Sequence, residues 1–226
     1  MRRHSTRWGR GMIKISVTSK LDGIRSWSLQ ALDTCPGSIS SPGVLVDACK
    51  GCYATTGNHR YPNVKAPRLS NQKDWQRFDW VSDMVQALEN DRYFRWFDSG
   101  DMYTLGLAEK ILEVMRMTPW CKHWLPTRMH KFPKFAIVLK DMQALSNVSV
   151  RFSSDSIRGE VTKGLHGSVI ISDPTQTTKG MTLCRAYENL GKCSGCRACW
   201  DKKVKVIAYP AHGQKMQKVI QILKAA

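Results

Sequence analysis

Short runs in which apolar and polar residues alternate recur along the chain, separated by stretches in which apolar residues return every three or four positions. The alternation in Ile13 to Thr18 (IKISVT) predicts a strand, as does the aromatic-rich run Tyr93 to Phe97 (YFRWF). Lys122 to Pro126, Val148 to Phe152 (VSVRF), Ser168 to Ser172 (SVIIS) and Val204 to Tyr209 (VKVIAY) extend the set to about six. Between them, Trp75 to Asn90 spaces Phe78, Val81, Val85 and Leu88 along one helical face, and Leu105 to Met117 does the same with Leu107, Ile111, Leu112 and Met115. Phe135 to Leu145 and Lys215 to Lys224 read as two further helices, the second with Met216, Val219, Ile220 and Leu223 on one side.

Strands alternating with helices imply an α/β fold with a parallel sheet. About six such units in this length predict an open or partial (β/α)6 barrel, whose strand-following loops would gather at one end and build the site there. No repeat or low-complexity segment interrupts the pattern.

Length supports one core: 226 residues with 42% hydrophobic content can bury a substantial single domain, read here as residues 13–226. Residues 1–12, with Arg2, Arg3, Arg7 and Arg10, read as a basic arm. The formal charge of +17 makes nucleic acid or an acidic host protein a candidate partner. The basic residues are spread rather than blocked, so an ordinary solvated surface accounts for them equally well. The start of the chain has no apolar signal-peptide core and no later run is long enough to span a bilayer, which predicts no membrane association and a reducing cytoplasm.

Seven of the eight cysteines then change the picture. Cys184, Cys193, Cys196 and Cys199 read C-x8-C-x2-C-x2-C, and Cys35, Cys49 and Cys52 form a second set far upstream. Zinc sites are usually built from two separated C-x2-C knuckles, whereas a third cysteine following at once suits a 4Fe-4S cluster, one loop wrapping several corners. Zinc, or thiols that bind nothing, are the alternatives; a reducing compartment disfavours disulfides. Cys121 stands apart and reads as a structural thiol. The first set follows the strand predicted at Ile13 to Thr18 and the second follows Ser168 to Ser172, so both should face the same end of the sheet.

On these residues the chain resembles a compact radical S-adenosylmethionine enzyme. In that family three cysteines after the first strand leave one iron of a 4Fe-4S cluster open to S-adenosylmethionine; Cys35, Cys49 and Cys52 would be those three. The family spacing is C-x3-C-x2-C with an aromatic before the last cysteine, whereas this chain has C-x13-C-x2-C with Gly51 there and Tyr53 after it. The resemblance further implies that Gly100 and Asp101, in Asp98-Ser99-Gly100-Asp101, receive the amine of S-adenosylmethionine, and that Ser153 and Asp155 contact its ribose. Cys184, Cys193, Cys196 and Cys199 would hold an auxiliary cluster. The chain also looks like the short, cysteine-rich bacteriophage proteins of the gene product 88 type, which implies phage origin and hence a host cytoplasm.

Read without the resemblance, Ser153 to Ser156 and Asp98 to Asp101 are ordinary turn sequences. Arg128 could reach an anion in a barrel mouth or form a surface ion pair. His59 and His212 could donate protons, or simply pack. Two functions follow: an enzyme performing one-electron chemistry, supplied by a donor such as flavodoxin or ferredoxin, or a non-enzymatic electron carrier or redox sensor that binds nucleic acid or a host protein. A zinc-stabilised nucleic-acid-binding module is the third.

Overall fold

The computed structural model describes residues 13–162 and 166–225. The arm predicted at 1–12 lies outside the described residues.

Its centre is an eight-stranded sheet in the order β1-β2-β5-β6-β7-β8-β10-β9. The strands are β1 (Ser16–Val17), β2 (Arg25–Trp27), β5 (Tyr93–Trp96), β6 (Lys122–Thr127), β7 (Val148–Ser153), β8 (Gly167–Ile171), β9 (Met181–Leu183) and β10 (Val206–Pro210). Only β1 runs antiparallel to its neighbour. A separate two-stranded hairpin pairs β3 (Ile39–Ser41) with β4 (Val44–Leu45). The sheet has two free edges, β1 and β9, and is not closed into a barrel.

The helices are α1 (Asp47–Lys50), α2 (Pro62–Asp74), α3 (Trp80–Ala87), α4 (Leu105–Met117), α5 (Ala136–Ala144) and α6 (Gln214–Ala225). α3, α4 and α5 supply the core on one face of the sheet. Alternation along β5 sends Phe94 and Trp96 into that core and leaves Tyr93 and Arg95 on the opposite face. Trp27 meets Trp80 at 5.4 Å and Trp96 at 6.0 Å, both edge-on, as ring quadrupoles favour. Rings of this size contribute roughly 2–3 kcal/mol each by burial, so this cluster anchors β2 and β5 to α3. His123 is fully buried there, accepting from Trp96 Nε1 at 3.2 Å while its other nitrogen meets Thr118 Oγ1 at 2.8 Å. α4 begins at Thr104, whose hydroxyl accepts from the Leu107 amide.

Three expectations are corrected. The strand expected at Ile13 to Thr18 shrinks to the edge strand β1, and the first parallel strand is β2, whose three residues are too few to show a period. The helix expected over Trp75 to Asn90 is shortened to α3: α2 ends at Asp74, α3 spans Trp80–Ala87, and Phe78 before it is fully exposed rather than in the core. Arg77 spans the turn between the helices, binding Asp74 at 2.6 Å, Asp83 at 2.8 Å and also Asp79. α2 itself, polar and holding Pro62 and Pro67, carries no apolar period to read. Finally, the six-unit pattern stops after β7. Among the described residues no α-helix links β7 to β8 or β8 to β10; between β8 and β10 stand β9, two short 3-10 turns and the segment bearing the later cysteines.

Candidate functional site

The loops after β2, β5, β6, β7 and β9 converge, with the end of β10, on a cavity of about 470 Å³. Their convergence follows from the parallel sheet, which points the C-terminal ends of these strands the same way. Cys35, Cys49, Cys52 and Cys184 line this one cavity, whereas Cys193, Cys196 and Cys199 are not on its wall, so one member of the later set joins the first set there.

The long gap between Cys35 and Cys49 has a simple form. Seven of the thirteen intervening residues, Ile39–Leu45, make the β3–β4 hairpin, which leaves the cavity and returns. The Val46 amide closes the excursion on the Ser38 carbonyl at 2.9 Å, so Cys35 is brought back beside Cys49 and Cys52. The thiols are close enough that each of the other two helps to raise Cys35, which burial and the nearby Asp101 carboxylate push to about 12. Burial also raises Cys49, while Arg128 opposes it. Gly37 lets this turn press on Arg128: a Cβ there would lie 2.5 Å from the Arg128 Cβ.

The later set sits on a strap between β9 and β10 that crosses the open face of the sheet from edge to edge. Cys184 is on the cavity wall, directly after β9 rather than β8. Beyond it the Cys193 amide donates to the Lys20 carbonyl at 2.8 Å, and Asp22 accepts from the Ser194 and Gly195 amides and from Arg197. Trp200 then lies on Trp124 at 5.1 Å and donates to the Phe94 carbonyl. Arg151 of β7, wholly buried, clamps the strap by donating to the carbonyls of Ala198, Cys199, Asp201 and Val204 at 2.8–2.9 Å. No carboxylate accepts from it in this set of bonds. Burial and neighbouring thiols raise Cys193, and burial pushes Cys199 to about 11, with the Tyr209 hydroxyl 3.1 Å from its sulfur.

Gly100 is on the wall at φ +80°, where a Cβ would meet Leu29 and Thr34 at 2.6 Å; only glycine fits. Asp101 is buried and holds three protein donors, Met102 N and Thr127 Oγ1 on one oxygen and Arg128 N on the other, each at 2.8 Å. Desolvation raises it to about 6 against the pull of those donors. Ser153 lines the cavity, its hydroxyl 3.4 Å from that of Ser168. Asp155 does not reach the wall: its carboxylate pairs with Arg128 at 3.3 Å and Lys131 at 2.7 Å, and its carbonyl takes the first turn of α1 through Ala48 N. Arg128, His59 and His212 are on the wall, with His59 Nδ1 held 2.8 Å from Arg68. Cys121 is buried in the helix-side core, away from all of these.

Among the described residues no three His, Cys, Asp or Glu side chains are gathered to hold a single metal ion. In its chemistry the donor set suits a thiolate-held metal group: four thiols on one wall, Cys35 and Cys49 raised by burial until a metal's positive charge would make them thiolates, and the buried Arg151 beside Cys199.

Several wall residues carried no sequence signal of their own. Arg95 holds Asp98 at 3.0 Å and lies over the Trp124 ring at 4.5 Å; Lys20, Tyr187 and Tyr209 complete the wall. Tyr187 stands between Cys184 and Cys193, a position that could have suggested it.

A family model described as Gene product 88 matches residues 10–217. The chain belongs to the gene product 88 family. The match takes in both cysteine sets and every residue that lines the cavity, from Thr18 to Met216, and it fits the expected bacteriophage origin. Neither a curated protein nor a solved structure matches this member of the family. No helix among its described residues is long and apolar enough to cross a membrane.

Proposed function

We propose that this gene product 88 family protein is an iron–sulfur protein that holds 4Fe-4S clusters through Cys35, Cys49 and Cys52 and through Cys184, Cys193, Cys196 and Cys199, and performs one-electron chemistry in the cavity between them. The observation that carries the reading is the meeting of Cys35, Cys49 and Cys52 with Cys184, about 130 residues later in the chain, on one cavity at the C-terminal ends of parallel strands. The hairpin that absorbs the long gap supports the comparison with radical S-adenosylmethionine enzymes, since it leaves three thiols for four corners. When bound, a cluster of that kind supplies single electrons, and its open iron a place for S-adenosylmethionine.

The chain's own residues do the rest. Asp101 ties the Gly100 turn to the start of the Arg128 segment and keeps the wall beside Cys35 rigid. Arg128 and Lys131 bring positive charge toward Cys49. Arg151 fixes the strap and supplies a buried positive charge for an anionic centre at Cys199. Tyr209 lies between that sulfur and the cavity, where its hydroxyl orients Cys199.

One observation favours the second reading, an electron carrier that does not cleave S-adenosylmethionine. Asp101 already takes three protein donors, and Asp155 faces away from the cavity, so two of the residues proposed for that cofactor are engaged elsewhere. Anaerobic purification with iron and sulfide counting tests the reading, with about eight irons expected. Stoichiometric zinc without acid-labile sulfide would overturn it. Adding S-adenosylmethionine to loaded protein then separates the two versions: a changed electron paramagnetic resonance signal supports the enzyme, and an indifferent one the carrier.

A further inference from the structure

At the cavity mouth four flat rings form a continuous row. His59 meets Tyr53 edge-on at 5.3 Å, Tyr53 stacks on His212 at 6.1 Å, and His212 meets Tyr187 at 4.9 Å. All four line the cavity, and Tyr53 and Tyr187 are 40% and 47% exposed. Their part-exposed faces lie on the cavity wall shared with Cys52 and Cys184.

The charge around them has one sign. Lys20 Nζ lies 5.9 Å over the Tyr187 ring, and the exposed Lys215 reaches Thr55, two residues from Tyr53. Among the described residues the wall carries two carboxylates, and both are engaged: Asp98 by Arg95 and Arg68, Asp101 by the three donors named above. Burial lowers His59 and His212, which leaves them as neutral stacking faces rather than cations. Deeper in, the hydroxyls of Ser153, Ser168 and Tyr209 offer both donors and acceptors.

We propose that the cavity receives a nucleobase of a single-stranded nucleic acid, stacked at the Tyr53, His212 and Tyr187 row with its backbone on the Lys20 and Lys215 rim. This rests on the iron–sulfur reading for what is then done to the base, since the row shares its wall with Cys52 and Cys184. A base supplies what the site is built to take: a planar π face for the rings, polar edges for the hydroxyls, and an attached polyanion for a chain of charge +17. The cavity, at about 470 Å³, lies within the size range of small-molecule sites.

A basic protein binds any polyanion, so the test must read the base and not the charge. Fluorescence anisotropy would compare a short labelled single-stranded oligonucleotide with the same strand bearing an abasic site, over a range of salt. The intact strand should bind about tenfold more tightly, the margin that stacking of one base gives. Tyr187→Ala should erase the margin and Tyr187→Phe keep it, whereas Lys20→Ala should weaken both strands alike and reduce the salt slope by about one phosphate contact. A margin on a ribose or a deoxyribose strand supports the proposal, and comparing the two identifies the source. Equal binding of intact and abasic strands overturns it, as does a margin that survives Tyr187→Ala; a free mononucleotide binding as tightly as the strand removes the polymer. Iron and sulfide counted in the same samples keep the two claims apart. Iron-free protein that shows the margin defeats the clusters and leaves the base site standing, while iron-loaded protein without it does the reverse.

Discussion

Arg151→Met would remove the β7 side chain that clamps the cysteine strap through four of its carbonyls. Four carbonyls, those of Ala198, Cys199, Asp201 and Val204, lose their donor. A hydrogen bond from a charged donor contributes about 1.5–3 kcal/mol net, so the simple sum is roughly 6–12 kcal/mol. Against this, a wholly buried cation without a carboxylate carries a desolvation cost of several kcal/mol that methionine does not. The balance is a loss of about 4 kcal/mol, near the upper end for one substitution. Urea unfolding followed by tryptophan fluorescence would show it as a fall in midpoint of roughly 2 M, with the slope unchanged. Arg151→Lys keeps the charge and loses the fork, so it should lie about half-way. In cluster-loaded protein the methionine variant should also lower the potential of the later centre. One charge at an effective dielectric constant of about 20 changes the energy of a nearby electron by ~2 kcal/mol, or roughly 90 mV for a one-electron couple. A stability loss below about 1 kcal/mol at an unchanged slope would refute the clamp.

Other outcomes follow from the same geometry. Cys196→Ser should lose about four irons and Cys121→Ser none, since Cys121 is buried in the opposite core; equal losses by iron assay would show the ligands misassigned. His123, held neutral by burial with its pKa lowered to about 3 from 6.5, gives stability that is complete above pH 6.5 and lost as pH falls toward 3, at most about 4–5 kcal/mol. His123→Asn should flatten that acid limb in urea midpoints measured against pH, and an unchanged slope would count against the assignment. Asp101 has the opposite sign: its folded pKa of about 6 lies above the ordinary 3.8, so metal-free protein loses up to about 3 kcal/mol as pH rises from about 4 to 6. Asp101→Asn should be less stable throughout, because its amide must face a donor at Thr127, Met102 or Arg128, yet show no loss across that window. Parent and variant curves that stay parallel would refute the titration.

Much of the sheet could be read from the chain because β5, β6, β7, β8 and β10 are each four to six residues long and carry a local apolar pattern. β2 and β9, three residues each, could not, for a strand that short has no period and exists only through its neighbours. The same limit hid the break between α2 and α3. Arg77 binds three aspartates there, Asp74, Asp79 and Asp83, a choice of partners that apolar spacing does not record.

By itself the sequence determined that seven cysteines fall in two sets, that the chain is strongly basic, and that strands and helices alternate over its first two-thirds. These are properties of composition and of nearest neighbours. Only the tertiary structure decided that Cys184 meets the first set. The β3–β4 hairpin removes seven residues from the path between Cys35 and Cys49, and the parallel strands bring Cys184 to the same wall from the far edge of the sheet. It also decided that Asp101 spends its oxygens on the protein and that Asp155 turns toward Arg128 and Lys131. A carboxylate's partners are set by which loops the strands deliver beside it, and that proximity has no trace in the order of residues.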